Sequence, residues 1–569
     1  MKALRGMSLM DVIVGTAMIL IVFVALMGLM RASILISGVS KARAGATSIA
    51  DTQMEYIRAL DYDVVGTVGG IPSGVVLATS TQSLNGIAYS TRTLIEYVDD
   101  SADGLAGADT NGITTDYKRI KVEVTYSVRD TPRTVSVISN YAPPSIETTT
   151  NGGTLTITVV NAAGVAVPGA TVNVTNSSTS PAVNFSTFSD ANGLVQLPGA
   201  PTSTEYRIGV SKTGYSTATT YARDTTNQNP TPGYLTVVKN QTTSGTFAID
   251  FFSSLTLQTL YPILPASTTD LFTSSTQLAS QTNTQVTGGA VTLASSGAGY
   301  SLTGSALQTT ITPSYLSAWT QASSTLSTPA GTSIKVYVKD SAGALLPDAV
   351  LAGNSTGFTS FPINLSAVST STYPSLALSA DFSTNSTTTT PALLDWRVDY
   401  LVGPTPVPNV PFTLTGTKTI GSTGVGSPIY KTTISTTTSS QGTRTMSLEW
   451  DSYKLGLTSF DVIDACTPPS YALSPNTAYN NVLYLGAPTT NTVLVSVLDS
   501  NGVPVSGAGV TLSKTGYTQT VTTTACGTAY FGGLSSGTYA LSASKTGYTT
   551  TSYPNVSISG HTFYAAVFP

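Results

Sequence analysis

Residues 154–174 read TLTITVVNAAGVAVPGATVNV, and residues 492–512 read TVLVSVLDSNGVPVSGAGVTL. Leu155, Ile157 and Val159 take every second position in the first stretch, and Val493, Val495 and Val497 do so in the second. That is the period of a strand with one buried face. A turn follows in each, then Gly169-Ala170 or Gly507-Ala508, then a second strand. Further on come Asp190-Ala191-Asn192-Gly193 and Thr524-Ala525-Cys526-Gly527, and each copy runs to Lys-Thr-Gly-Tyr, at 212–215 and at 545–548. Short alternating runs between glycine- and asparagine-rich turns predict small all-β units.

The composition agrees. A chain of 569 residues has room for about three to five domains. Charged residues are only 9% of it, too few for the outer faces of many solvated helices. Hydrophobic residues reach 41% and recur in alternating runs, which argues against a disordered stalk. The net charge of −4 is spread along the chain without a basic patch, so nucleic acid is not an expected partner. One histidine, His561, and two cysteines exclude a histidine-based metal cluster. His561 lies in SGHTFYAAVF, where a satisfied strand residue is the expected role rather than a catalytic base.

The order of strand, Gly-Ala, Asn-Gly turn and closing Gly-Tyr resembles the carboxypeptidase regulatory-like family, small sandwiches of immunoglobulin type. The resemblance covers 151–248 and 487–569 and implies a fold rather than an activity. A divergent third copy is read at 403–486: VPNVPFTLTGTK matches the first turn and strand, Ser440-Gln441-Gly442 stands at the Asn-Gly turn, and LEWDSYKLGL parallels LSSGTYALSA. Residues 249–402 form a separate unit marked by Trp319, SIKVYV at 333–338 and the closing LDWRVDY at 394–400. Their order resembles a galactose-binding-like jelly roll. If that holds, loops at one end would bind sugar; a structural spacer is the other reading.

The first 36 residues differ from all the rest. Lys2 and Arg5 form a basic head, then Gly6 and Met7-Ser8-Leu9-Met10-Asp11, then no charge from residue 12 to residue 30. A helix of that length spans about 28 Å, near the thickness of a bilayer core. The candidate cleavage site precedes the apolar run, whereas a secretory signal places it after. This resembles the prepilin leader of type IV pilins and type II secretion pseudopilins. The resemblance implies a 1–6 leader removed by a prepilin peptidase between Gly6 and Met7, and a 7–36 membrane segment. It also implies that Asp11, fifth in the mature chain, pairs with the terminal amine of a neighbouring pilin subunit. Aspartate and Met7 stand where the family usually has glutamate and phenylalanine. An uncleaved signal anchor is the plain alternative. Small and apolar residues at Ala46, Ile49, Ala50, Met54, Ile57 and Leu60 continue the helical spacing. A pilin-like α+β domain over 37–142 is therefore expected, with strands around 75–77, 87–97 and 119–128.

Between two of those strands lies an acidic, glycine-rich loop holding Asp99, Asp100, Asp103, Asp109, Asn111 and Asp116. Hard oxygen ligands on such a loop suit Ca²⁺, and pilin-like proteins of the family resembled hold calcium at this place. A solvated turn is the competing reading, since the same residues form turns. Cys466 and Cys526 are expected to pair as a disulfide in an exported protein, with two buried thiols as the alternative.

The whole reads as mainly β: an N-terminal transmembrane or pilin helix on a small sheet, then several β-sandwiches. The expected function is non-catalytic. It is a minor pilin or pilin-like adhesin, single-pass in the cell membrane, with extracellular domains that touch surface glycans or other cells. A fixed envelope spacer is the second reading. A surface hydrolase is the third, and it would need clustered carboxylates among Asp270, Asp340, Asp348, Asp381, Asp395 and Asp399.

Overall fold

A computed structural model describes residues 9–102, 104, 113, 115–144, 152–467 and 469–569. It is mainly β, with one long N-terminal helix and many sheets arranged in several sandwiches.

Helix α1 (Leu9–Arg58) has no proline, is rich in Ala, Ile, Leu and Met, and ends on Arg58, a cation at the negative pole of the helix dipole. Its second half packs on a four-stranded antiparallel sheet, Thr79–Leu84, Ile87–Val98, Tyr117–Val128 and Thr131–Tyr141, in chain order. Ala42, Ala46, Ala50, Met54 and Ile57 of the helix meet Tyr89, Ile95, Ile120, Val122 and Val124 of the sheet in one core. The turn Asn85-Gly86 takes positive φ at both residues (52° and 76°), the geometry of a two-residue hairpin. The strand expected around 75–77 is instead a single bridge at Val76. One edge strand is Thr79–Leu84, exposed throughout and polar up to Leu84, with no alternation to reveal it.

Three sandwiches share one plan. In the first, Gly152–Val160 lies between Thr242–Ala248, parallel to it, and Leu194–Pro201, antiparallel. In the last, Thr492–Leu498 lies between His561–Val567, parallel, and Thr528–Phe531, antiparallel. In the middle one, Ser253–Tyr261 lies between Ala478–Gly486, parallel, and Thr443–Leu448, antiparallel. The sequence reading places residues 253–261 in the 249–402 unit, and the pairing corrects this. The strand opens the middle sandwich, because Leu255 and Leu257 complete a core with Val410, Leu414, Leu455 and Leu483. The unit around Trp319 and Trp396 begins after it and is inserted in that sandwich's first turn.

Finer contacts repeat as well. Tyr206, Tyr453 and Tyr539 are fully buried, and each hydroxyl donates to a carbonyl four or five residues upstream, at Pro201 (2.7 Å), Glu449 (3.0 Å) and Ser535 (2.8 Å). This is the tyrosine corner of immunoglobulin-type sandwiches. A buried hydroxyl also receives the amide just before the second strand in each: Ala170 donates to Ser189, Ala508 to Thr523 and Val410 to Thr438. Tyr453→Phe removes one such bond and strands a buried carbonyl, and is expected to cost about 1–2 kcal/mol in denaturant unfolding. A change below a few tenths of a kcal/mol would deny the corner a structural role.

The inserted unit, 264–402, is itself two facing sheets. One holds Leu264–Asp270, Ala392–Val402 and Leu316–Ser327; the other holds Thr303–Gln308, Ala377–Thr384 and Thr332–Lys339. Trp319, Trp396, Phe272 and Phe382 fill the space between. Its final strand returns beside its first, Leu264 opposite Val402.

Candidate functional site

The features that bear on function are the bare half of α1, the buried lysine under the turn that follows the helix, the acidic loop, and the seams between units. From residue 9 to residue 36 the large apolar side chains of α1 other than Leu35 are exposed, among them Leu20, Ile21, Val24 and Leu29. The helix is long and apolar enough to cross a membrane. Gly6 and Met7 lie outside the described residues; Asp11 stands near the start of α1.

Past the C-terminal end of the helix, Lys118 is buried. Its ammonium donates to the carbonyls of Tyr62 (2.5 Å) and Val65 (2.7 Å) and sits 4.4 Å from the centre of the Tyr62 ring. It thereby holds the turn after α1 against the sheet. Burial pulls its pKa down to about 8, opposed by the charge of Asp63. The unfolded chain keeps this proton to about pH 10.4, so the folded state has released it first. Stability is therefore expected to rise as pH goes from 8 to 10. Lys118→Met should flatten that slope in thermal melts. A slope that survives the substitution would assign it to other groups.

Of the acidic-loop residues, Asp99, Asp100 and Asp116 are described, while Asp103, Asp109 and Asn111 lie outside the described residues. The Asp116 carboxylate accepts from the Asp100 amide, and Asp100 Oδ1 accepts from the Ala102 amide at 3.1 Å. Among the described residues no three histidine, cysteine or acidic side chains converge as metal ligands. Five of the six carboxylates of the inserted unit accept from or pair with a neighbouring group. Asp270 caps Phe272, Asp340 caps a turn at Ala342 and Ala344, Asp348 holds Ser355, Asp395 receives the Thr325 amide, and Asp399 pairs with Arg397.

Besides the expected disulfide, the seams are stitched largely by side chains that sequence alone did not single out. Arg92 reaches from the small sheet to the Ser186 carbonyl (2.8 Å) and lies over Phe188 of the first sandwich. Asn227 donates to Ile420 (2.9 Å) and Lys431 to Thr217 (2.8 Å), joining first and middle sandwiches. Cys466 and Cys526 form a disulfide between middle and last. Beside it Asp464 accepts from Thr524 and Thr528, and buried Asp461 accepts from Tyr530 (2.6 Å) and from the Thr489 amide (2.9 Å). His561 Nδ1 is 3.3 Å from Asp461 and 3.1 Å from Thr492 Oγ1, so the lone histidine belongs to this seam. Apart from the two cysteines, these partners come from strands and turns far apart in the chain that only the fold brings together, which is why no spacing announced their pairing.

Residues 154–249 and 492–567 match the carboxypeptidase regulatory-like domain. The two stretches thus carry the family likeness read from their turns, and the middle sandwich shares their plan without matching the family model. A search of curated proteins finds no match. Among solved structures, the TIE protein of Bacillus anthracis is 10% identical, with 86% of this chain and 73% of that chain covered and a TM-score of 0.15. The major pilin subunit of Bacillus cereus is 11% identical, with 73% and 99% covered and a TM-score of 0.13. A minor pilin of Streptococcus agalactiae is 16% identical, with 29% and 86% covered and a TM-score of 0.12. Scores this low do not establish a shared arrangement of domains.

Proposed function

We propose that this chain is a membrane-anchored, pilin-like surface subunit, cut by a prepilin peptidase between Gly6 and Met7 and non-catalytic. Its support is the division of α1: the outer half is apolar and bare, and the inner half is packed into a folded domain. The bare half first sits in the membrane and then packs among the helices of other pilin subunits. Asp11 supplies the carboxylate that meets a neighbour's terminal amine, since an unpaired carboxylate at such a position costs several kcal/mol. The stitched sandwiches carry the inserted unit outward, where it contacts glycans or another cell surface. The first test is the N-terminus of the mature protein: Met7 fits, Met1 or a residue beyond Met30 refutes. Recovery of the protein with sheared pili separates a fibre subunit from a fixed envelope spacer.

The acidic loop is proposed to hold Ca²⁺ through Asp99, Asp100, Asp103, Asp109, Asn111 and Asp116. Calcium at about 100 times its dissociation constant is expected to add about 2.7 kcal/mol to the stability of the small-sheet domain. The readout is a rise in its melting temperature that chelator reverses. An unchanged melt with and without chelator leaves the loop a plain turn.

A further inference from the structure

We propose that the chain is built to bear tension along its length, with three parallel strand pairs as clamps and residues 264–402 mounted outside the line of force. The inference deepens the surface-subunit reading, which supplies the direction of pull, from an anchored helix toward the C-terminal end.

The argument begins with where each sandwich is loaded. In the first, the chain comes in at the start of Gly152–Val160 and leaves at the end of Thr242–Ala248. These strands are parallel neighbours, paired from Thr154 opposite Thr242 to Val160 opposite Ala248. Pulling the start of one against the end of the other slides the two strands past each other. All seven paired positions then resist together, because no end of the ladder is opened first. The middle sandwich repeats this arrangement, from Ser254 opposite Ala478 to Leu260 opposite Tyr484. So does the last, from Thr492 opposite His561 to Leu498 opposite Val567.

The inserted unit is connected differently. It departs after Tyr261 and returns at Thr405, and those two residues face each other across a short strand pair. Its own terminal strands are antiparallel, Leu264 opposite Val402, so a pull on its two ends would unzip it one pair at a time. That pull does not reach it while Ser253–Tyr261 stays clamped. Force arriving at residue 253 crosses the ladder to Ala478–Gly486 and passes on toward Thr492. The far end of the clamp is locked further, since the Val407 amide donates to the Thr259 carbonyl (2.9 Å) and the Thr259 hydroxyl donates to the Val407 carbonyl (2.8 Å). A unit that would be the weakest under direct load is thus shielded by the sandwich that carries it.

The test stretches the full chain, held in a lipid nanodisc by α1 and by a tag at its C-terminal end, in magnetic tweezers. Resistance to forced opening reads the unfolding rate rather than equilibrium stability. Unravelling of residues 264–402 gives a release of about 450–500 Å. It is expected to follow the opening of the middle sandwich in every trace. A release of that length as the first event overturns the proposal. A second variant, Gln258→Cys with Val482→Cys, staples register partners of the middle clamp. Oxidised, it should abolish the 264–402 release at forces that open the first sandwich, and reductant should restore it. Persistence of that release in the stapled chain also overturns the proposal. Because these readings are made on purified protein, a failure here leaves the mature N-terminus at Met7 untouched. Ordered releases from a protein found elsewhere in the cell would instead sink only the surface reading.

Discussion

A Gly6→Val chain is expected to keep its first six residues and to vanish from the outer surface. Cleavage between Gly6 and Met7 would leave Met7 with a free amine, four positions before Asp11 in the sequence. Blocking the cut leaves Lys2 and Arg5 attached, two cations that hold the N-terminal end on the cytoplasmic side. Asp11 then has no amine to meet in a neighbouring subunit, and the cost of placing it among apolar helices is not offset. The expected outcome is at least a tenfold loss of surface signal for a tagged chain, with membrane-fraction protein retained and about 0.7 kDa heavier. Equal surface signal with an intact leader would rule out processing as a requirement and favour the fixed spacer.

The second large effect belongs to the seam between the last two sandwiches. Cys466 and Cys526 are 60 residues apart, and closing a loop of that size stabilises by about 4 kcal/mol in the chain-entropy description. The double replacement Cys466→Ser and Cys526→Ser leaves no lone thiol to mispair. It is expected to lower the melting temperature of the C-terminal pair by roughly 15 °C or more, given the few degrees per kcal/mol typical of domains this small. Reductant applied to the unaltered protein should reproduce the shift. A drop of only a degree or two would mean that Asp461 and Asp464, with their hydroxyl and amide partners, hold the seam unaided.

Much of this architecture was legible where one face of a strand is buried and its turns are spelled out. Leu155, Ile157 and Val159 alternate visibly, and the Gly-Ala and Asn-Gly signals bracket them, so two sandwiches could be read from one line of sequence. With only two cysteines, the pairing of Cys466 with Cys526 had one possible partner each. Ser253–Tyr261 was misplaced for a physical reason. Leu255 pairs with Met446 and Tyr479, both nearly 200 residues downstream or more, and a half-buried strand carries no mark of its distant partner. Thr79–Leu84 escaped notice because an edge strand exposed on both faces has no pattern to show. The tyrosine corners were hidden among 28 tyrosines, and what distinguishes Tyr206, Tyr453 and Tyr539 is a hydrogen bond, not a spacing. Asp461 and His561 illustrate the same limit at the seam: they are 100 residues apart in sequence and meet only because two sandwiches are pressed together.

The opposed positions of Tyr261 and Thr405 carry one more consequence. A guest whose own beginning and end lie side by side can be exchanged for another without rerouting the host, because the host asks only that the two connections arrive together. The head of such a molecule is therefore free to diversify while its stem stays constant. Grafting an unrelated fold with adjacent termini between those two residues should leave the three stem modules intact.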